Sequence, residues 1–218
     1  TRAMKDSRTY YHLVLDRSGS MSSCIEQTVE GVNRQIRRIR EVSERFPDQE
    51  LITSLTLFNN KISRVWTRVE PGRLREITYP DYRPEGTTAL LDAVGSTVSE
   101  MQRSLGPELE AGEASAVVVI ITDGYENSSG QFSHEQVAGL IKELEATGKW
   151  TFSYIGATLD AVEVAGTLSI KKGNAIYYNL SEFNLMFNKL NDSISSYVEK
   201  KQSGKIKTDF LDNEEEKS

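Results

Sequence analysis

The segment Tyr11-His12-Leu13-Val14-Leu15-Asp16-Arg17-Ser18-Gly19-Ser20 joins an apolar run to a loop that carries three oxygen-bearing side chains. The apolar residues predict a buried strand, and Gly19 fits a tight turn before a following helix. Asp16, Ser18 and Ser20 recur at spacings of two residues, and their carboxylate and hydroxyl oxygens suit a hard divalent cation. The loop is therefore a candidate metal site, provided that oxygens from other segments converge on it.

The size and composition of the chain favour one globular domain. It has 218 residues, of which 38% are hydrophobic and 27% are charged. The single cysteine, Cys24, cannot form an internal disulfide, and without a CxxC motif a zinc site is disfavoured. A net charge of −6 disfavours a general nucleic-acid binder.

Hydropathy predicts neither a membrane span nor a signal peptide, because no apolar run reaches about 18 residues and no basic start precedes an apolar centre. We therefore predict a cytoplasmic protein with no membrane partner. The predicted domain covers residues 8–200. Residues 1–7 form an N-terminal segment, whose Thr1-Arg2-Ala3 before Met4 we interpret as a tag remnant, and residues 201–218 form an acidic tail predicted to be disordered.

Strand-like apolar runs alternate with amphipathic helical patterns along the domain. This alternation predicts an α/β, doubly wound fold. We expect a mainly parallel six-stranded sheet of order 3-2-1-4-5-6, with strand 3 as an antiparallel edge and helices on both faces. The predicted strands are Tyr10–Leu15, Leu51–Phe58, Ile62–Val69, Ala116–Ile121, Trp150–Ile155 and Ala175–Tyr178.

Proline and glycine set the predicted ends of two other elements. Gly106-Pro107 is expected to end the helix that begins near Leu91, so that Glu108–Glu113 would form an acidic surface loop. A short helix is expected near Leu74–Ile77.

Three loops should meet at one edge of this sheet. The loop at Asp16 follows strand 1, the loop at Asp123 follows strand 4, and Thr87 precedes a helix. Strands 1 and 4 are neighbours in the predicted order, and ligands of such folds bind at the carboxyl ends of the strands where that order reverses. The sequence therefore predicts that oxygens from all three loops converge.

Three ordered motifs resemble those of the von Willebrand factor A (vWA) domain family. They are Asp16-x-Ser18-x-Ser20, the segment Gly86-Thr87-Thr88-Ala89-Leu90-Leu91-Asp92-Ala93, and Ile121-Thr122-Asp123-Gly124. The resemblance extends over roughly residues 8–198. Ile155-Gly156-Ala157 and Gly173-Asn174-Ala175 are similar to segments of stand-alone bacterial and phage members.

The resemblance implies an intact metal-ion-dependent adhesion site. Ser18 and Ser20 would bind Mg²⁺ directly, with Mn²⁺ or Ca²⁺ as alternatives, and Asp16 and Asp123 would lie nearby, often binding through water. Thr87 would be the threonine ligand, with Thr88 as the alternative. A position left open on the metal would accept an Asp or Glu carboxylate from a partner protein.

Several other polar residues are expected to have structural roles. Asp92 is interpreted as a supporting residue or helix cap. Glu126 and Asn127 are interpreted as part of a surface turn, with the rim of the metal site as the alternative. His12 lies in mid-strand and is interpreted as structural.

The sequence favours an intracellular interaction module over an enzyme. An Asp at the end of strand 1 also resembles the haloacid dehalogenase phosphatases, but these need a second carboxylate two residues later, where this chain has Ser18. A Mg²⁺-dependent hydrolase is therefore the alternative, and a metal-independent scaffold is the third class. No oligomeric state is predicted.

Overall fold

The computed structural model describes residues 6–205 and 209–211, which form a six-stranded sheet flanked by α-helices. Residues 1–5, 206–208 and 212–218 lie outside the described part of the chain. The elements in chain order are β1 (Arg8–Asp16), α1 (Ile25–Arg45), β2 (Glu50–Phe58), β3 (Ile62–Val69), α2 (Leu90–Glu110), β4 (Ala114–Thr122), α3 (His134–Ala146), β5 (Trp150–Gly156), α4 (Ala161–Thr167), β6 (Ala175–Tyr177) and α5 (Phe183–Gln202).

The strand order is β3-β2-β1-β4-β5-β6, and all neighbours are parallel except the antiparallel pair of β2 and β3. This confirms the predicted fold class, including the antiparallel edge. The most apolar strand, β4, is buried along its whole length between β1 and β5. A strand covered on both faces needs apolar residues throughout, as its sequence ASAVVVIIT provides.

Helices cover both faces of the sheet and create two cores. Alternate β1 side chains, including Tyr11, Leu13 and Leu15, pack with α1 and α5. Tyr10 and Val14 point to the other face and pack with α2, α3 and α4. Every helix in the described part of the chain is too short or too polar to span a bilayer.

Helix α2 continues past the predicted end at Gly106-Pro107 and includes Pro107 in its last turns. Proline removes one backbone hydrogen bond, but Leu109 is 1% exposed and belongs to the core, and the Ala111 N–H bonds the Pro107 carbonyl at 3.0 Å. Burial of Leu109 thus favours a helix over the predicted acidic surface loop.

The predicted helix near Leu74–Ile77 was wrong. Short 3₁₀ turns flank this stretch instead, and Leu74 and Ile77 are buried in the core on irregular backbone. The side chain of Asn33 accepts a hydrogen bond from the Ile77 N–H at 2.8 Å and donates to the Ile77 carbonyl at 2.9 Å. One amide thus satisfies both backbone groups that a helix would have paired.

The C-terminal helix is fixed to the start of the sheet through Lys201, which is buried. Its Nζ donates to Asp6 Oδ1, the Arg8 carbonyl, Thr9 Oγ1 and Ser115 Oγ at 2.7–2.9 Å. Four oxygen acceptors offset the cost of burying the ammonium group. This end of the sheet lies opposite the carboxyl ends of β1 and β4.

Part of the tail predicted to be disordered packs on the domain. Phe210 and Leu211 are fully buried, and the Phe210 ring lies 5.7 Å from Tyr11 and 5.9 Å from Tyr197 between centroids. The Phe210 N–H donates to Asn174 Oδ1 at 2.8 Å. These aromatic contacts explain the difference from the expectation drawn from acidic composition.

Candidate metal centre

Asp16 ends β1 with a carboxylate that is fully buried and fixed on both oxygens. Its Oδ1 accepts a hydrogen bond from the Ser18 N–H at 2.6 Å, and its Oδ2 accepts from Thr122 Oγ1 at 2.7 Å. Thr122 is the last residue of β4. The neighbouring strands thus hold this carboxylate at their shared carboxyl edge.

The serine hydroxyls connect Asp16 to the loop after β4. Ser18 Oγ and Ser20 Oγ lie 3.2 Å apart, and Ser20 Oγ donates to Asp123 Oδ1 at 2.8 Å. Ser18 is buried, whereas Ser20 is exposed, so the cluster opens to solvent on one side. The structure therefore brings four predicted residues together: Asp16, Ser18, Ser20 and Asp123.

The two candidate threonines differ in environment. Thr88 is buried, and its Oγ1 lies 3.6 Å from the point where a Cβ on Gly124 would lie, next to Asp123. Its N–H donates to Asn127 Oδ1 at 2.9 Å, and its carbonyl accepts from the Asn127 N–H at 3.0 Å. Thr87 is exposed. The geometry therefore favours Thr88 beside the Asp123 loop, in contrast to our preference for Thr87 from the sequence.

Backbone contacts hold the loop of residues 85–88, which we call the threonine loop, against the loop that follows Asp16. The Gly19 N–H donates to the Gly86 carbonyl at 3.1 Å, and the Glu85 N–H donates to the Arg17 carbonyl at 2.9 Å. Gly86 has φ +74°, and a Cβ there would lie 2.5 Å from Asn60 Oδ1. The backbone angle favours glycine, whereas the exposed Asn60 side chain can move away from an added Cβ.

The site has two carboxylates without a described cationic side chain to balance them. Among the described residues, neither Asp16 nor Asp123 forms an ion pair with lysine, arginine or histidine. Burial and the nearby charge of Asp16 raise the pKa of Asp123 to about 6, although the Ser20 hydrogen bond opposes this. A divalent cation would neutralise the pair.

The donor set fits a hard cation rather than a soft one. No cluster of three or more His, Cys, Asp or Glu side chains suited to a metal occurs in the described part of the chain. A metal bound here would therefore need the hydroxyls of the serines and Thr88 in addition to the two carboxylates. Such an all-oxygen set suits Mg²⁺, Mn²⁺ or Ca²⁺.

Tyr82 supports the candidate site through a hydrogen bond to Asp16, a role that was not predicted from the sequence. It is buried, and its hydroxyl donates to the Asp16 carbonyl at 2.6 Å. Burial raises the pKa of Tyr82 well above its usual value, so the hydroxyl stays protonated and remains a donor. Tyr82 lies in an irregular loop without periodicity, and no sequence signal pointed to this role.

Asp92 ties the loop after β4 to the first turn of α2. Its carboxylate accepts hydrogen bonds from the backbone N–H groups of Gly130, Gln131 and Phe132 at 2.8–2.9 Å. Burial acts to raise the pKa of Asp92, but these three donors lower it overall. The observed contacts fit the supporting role expected from the sequence.

Glu126 and Asn127 do not form the plain surface turn that was expected. Glu126 Oε2 accepts from the Leu91 N–H at 2.9 Å, so the side chain caps α2. Asn127 instead fixes Thr88 through the two hydrogen bonds described above. Both residues therefore connect the loop of Asp123 to the segment at Thr88 and Leu91, and a polar pair three and four residues after Asp123 is the signal that could have indicated this.

No protein-family model and no curated protein matches the sequence. Solved structures share the fold. Proximal thread matrix protein 1 from the mussel byssus, with a zinc-occupied MIDAS motif, has a TM-score of 0.58 at 15% identity and covers 88% of this chain and 47% of its own. A von Willebrand factor type A protein from Catenulispora acidiphila has a TM-score of 0.53 at 14% identity and covers 86% and 42%.

The manganese-loaded TRAP protein of Plasmodium vivax has a TM-score of 0.53 at 18% identity and covers 83% of this chain and 72% of its own. At such identities the similarity shows the fold alone, which is that of a vWA domain. This chain spans less than half the length of the mussel and Catenulispora proteins. The stand-alone bacterial or phage type stays a prediction.

Proposed function

We propose that this chain is a metal-dependent protein-interaction module that binds an acidic residue of a partner through Mg²⁺. Ser18, Ser20 and Thr88 would hold the cation together with Asp16 and Asp123. The observation that carries the proposal is the pair of nearby carboxylates, Asp16 and Asp123, which lack a described cationic partner, lie beside the Ser18 and Ser20 hydroxyls and open to solvent at Ser20.

Charge balance supports a shared role for the cation and the partner. Two carboxylates neutralise a divalent cation, and hydroxyls add ligands without adding charge. A small hard cation requires near-octahedral oxygen ligands and keeps exchangeable water. The bound cation would attract a partner carboxylate to a water position, so recognition of Asp or Glu would depend on the metal.

The choice of cation is supported by donor chemistry and by proteins of the same fold. The mussel byssus protein carries zinc in its MIDAS motif, and the Plasmodium protein is manganese-loaded. We propose Mg²⁺ because the donors here are all oxygen, and Mn²⁺ should substitute for it.

The groups around Asp16 give little support to hydrolysis. Ser18 stands where a phosphatase of the alternative class has its second carboxylate, and its hydroxyl contacts Ser20. The two histidines are engaged elsewhere: His12 is buried against Thr56 Oγ1 at 2.7 Å, and His134 lies 3.0 Å from Thr167 Oγ1. We therefore propose binding rather than catalysis.

Affinity capture from a lysate with immobilised protein tests the proposal. The wild type should retain a partner in Mg²⁺ and release it in EDTA. Asp16→Ala and the milder Ser20→Ala should fail to retain it, whereas Asp48→Asn, an exposed acidic position outside the site, should behave like the wild type. Equal retention of the same partner by Asp16→Ala, Ser20→Ala and the wild type in EDTA would overturn the proposal.

A further inference from the structure

Two large apolar side chains are exposed beside the candidate metal centre. Tyr125 lies two residues after Asp123 and is 58% exposed, and Leu159 lies in the loop between β5 and α4 and is 87% exposed. The Tyr125 hydroxyl donates to Asp160 Oδ1 at 3.0 Å, so Tyr125 and the residue next to Leu159 are in contact. Neighbouring exposed apolar groups favour contact with another molecule.

Hydrogen bonds hold this pair at the carboxyl edge of the sheet. The Ala157 N–H donates to the Thr122 carbonyl at 3.1 Å, which links the loop of Leu159 to the residue before Asp123. A Cβ on Gly156 would lie 2.6 Å from Ala161 Cβ, so the loop turns tightly into α4. The backbone that carries Leu159 and the side chain of Tyr125 are thus held near the loop of Asp123, which lowers the entropic cost of binding there.

We infer that Tyr125 and Leu159 form an apolar rim that binds a hydrophobic side chain next to the partner's metal-binding acidic residue. The occupant is an extended segment of another protein that carries Asp or Glu followed one or two residues later by a large apolar residue. This inference rests on the proposed function, because the metal supplies the anchor for the acidic residue.

The spacing of residues along an extended chain supports an extended peptide segment as the occupant. Two residues of extended chain span at most about 7 Å, which limits the separation of the Asp123 and Tyr125 backbones. An extended partner advances by about 3.3 Å per residue. A side chain one or two positions after the acidic residue would therefore lie within the range that separates Asp123 from Tyr125 along the chain.

Charge at the rim disfavours a run of acidic residues in the partner. Hydrogen bonds from Thr158 and from Tyr125 lower the pKa of Asp160, which therefore stays charged. Asp160 would repel a second carboxylate close to the first. The rim should select one acidic residue flanked by an apolar one.

Selection of linear peptides from a phage-displayed library tests this inference. The wild type is immobilised in Mg²⁺ and bound phage are eluted with EDTA. Eluted sequences should be enriched in Asp or Glu followed within two positions by Leu, Ile, Met, Phe or Trp. The same selection on Leu159→Ser should keep the acidic residue and lose the apolar preference, while Leu185→Ser, an exposed leucine on α5, should select as the wild type does.

Direct binding measurements with one selected peptide give the contribution of Leu159 to the affinity. Leu159→Ser should weaken it about tenfold, as expected for loss of one apolar contact. An acidic preference without an apolar neighbour, or an apolar preference that persists in Leu159→Ser, would overturn the rim and leave the proposed function standing. Failure to obtain any EDTA-eluted acidic sequence would count against the proposed function itself, and against the rim with it.

Discussion

Ser20 and Asp123 are 103 positions apart in the chain, yet the Ser20 hydroxyl donates a 2.8 Å hydrogen bond to Asp123 Oδ1. This bond joins the loop after β1 to the loop after β4. A hydroxyl oxygen also has lone pairs, so the same two oxygens can face a cation when the hydroxyl hydrogen turns away. The contact therefore marks where the two halves of the candidate site meet.

Removal of the Asp123 charge should separate metal binding from folding. We expect saturating Mg²⁺, at about one hundred times its Kd, to stabilise the wild type by about 2.7 kcal/mol, or several degrees in Tm. Asp123→Asn should gain nothing from Mg²⁺. In EDTA it should melt at or above the wild-type temperature, because repulsion from Asp16 is relieved. Differential scanning fluorimetry measures both, and an undiminished Mg²⁺ shift in Asp123→Asn would exclude this carboxylate from the site.

The threonine pair gives a matched comparison. Thr88→Val removes the buried hydroxyl while keeping the shape of the side chain, and we expect it to weaken Mg²⁺-dependent partner or peptide binding at least about tenfold, because a hydrogen-bonding or ligating oxygen is lost. Thr87→Val changes an exposed side chain and should have little effect. Calorimetric titration of both variants decides between them, and the reverse order of effects would restore Thr87 as the ligand.

The contacts of Asp92 should stabilise the loop that carries Asp123. Asp92→Asn replaces an acceptor of three backbone N–H groups by an amide that can accept fewer hydrogen bonds, and we expect a loss of about 1–2 kcal/mol in the free energy of unfolding. Hydrogen exchange of residues 128–132 should accelerate more than exchange in β4. Glu110→Gln, an exposed acidic position on the same helix, serves as the control, and an unchanged exchange pattern in Asp92→Asn would contradict the role.

His12 should make the fold sensitive to mild acid. Burial, and then the charge of Arg64, lowers the pKa of His12 to about 3. The unfolded chain, with a histidine pKa near 6.5, therefore binds more protons between pH 6.5 and 3, and stability falls as the pH falls through that window.

The contribution of His12 to the slope of the free energy of unfolding against pH approaches about 1.4 kcal/mol per pH unit. Urea unfolding of the wild type and of His12→Gln between pH 7 and 5 isolates the contribution, since the glutamine can still bond Thr56 but does not titrate. Equal slopes in the two proteins would show that His12 titrates normally.

The central strands and the cluster at their carboxyl ends were predictable because their signals are local and strong. Buried apolar runs identified β1 and β4, and the alternation with helical patterns led to a sheet order in which they are neighbours. That order alone placed Asp16 near Asp123. The positions of Tyr82 and Asn127 depend on how irregular loops fold over the site, and no periodic pattern reports this.

Contacts distant in sequence decided the features that were wrong. Pro107 and Gly106 favour a helix end locally, but Leu109 adds a buried contact that outweighs them. Phe210 and Leu211 are two apolar residues in an acidic segment, too few to form a pattern. Phe210 stabilises the segment through its contacts with the rings of Tyr11 and Tyr197, which are distant in sequence. Whether Thr87 or Thr88 is the threonine ligand stays a prediction; the burial of Thr88 and its hydrogen bonds to Asn127 favour Thr88.

The Lys201 contacts also have a practical consequence for handling the protein. They place the start of β1 and the end of α5 together at the edge of the sheet remote from Asp16. An affinity handle or biotin attached before residue 6 would join the described part of the chain at that remote edge, because Asp6 binds Lys201 there. Protein immobilised through its N-terminal side on a sensor chip would present the candidate metal centre to the solution, so this attachment suits surface-based binding measurements.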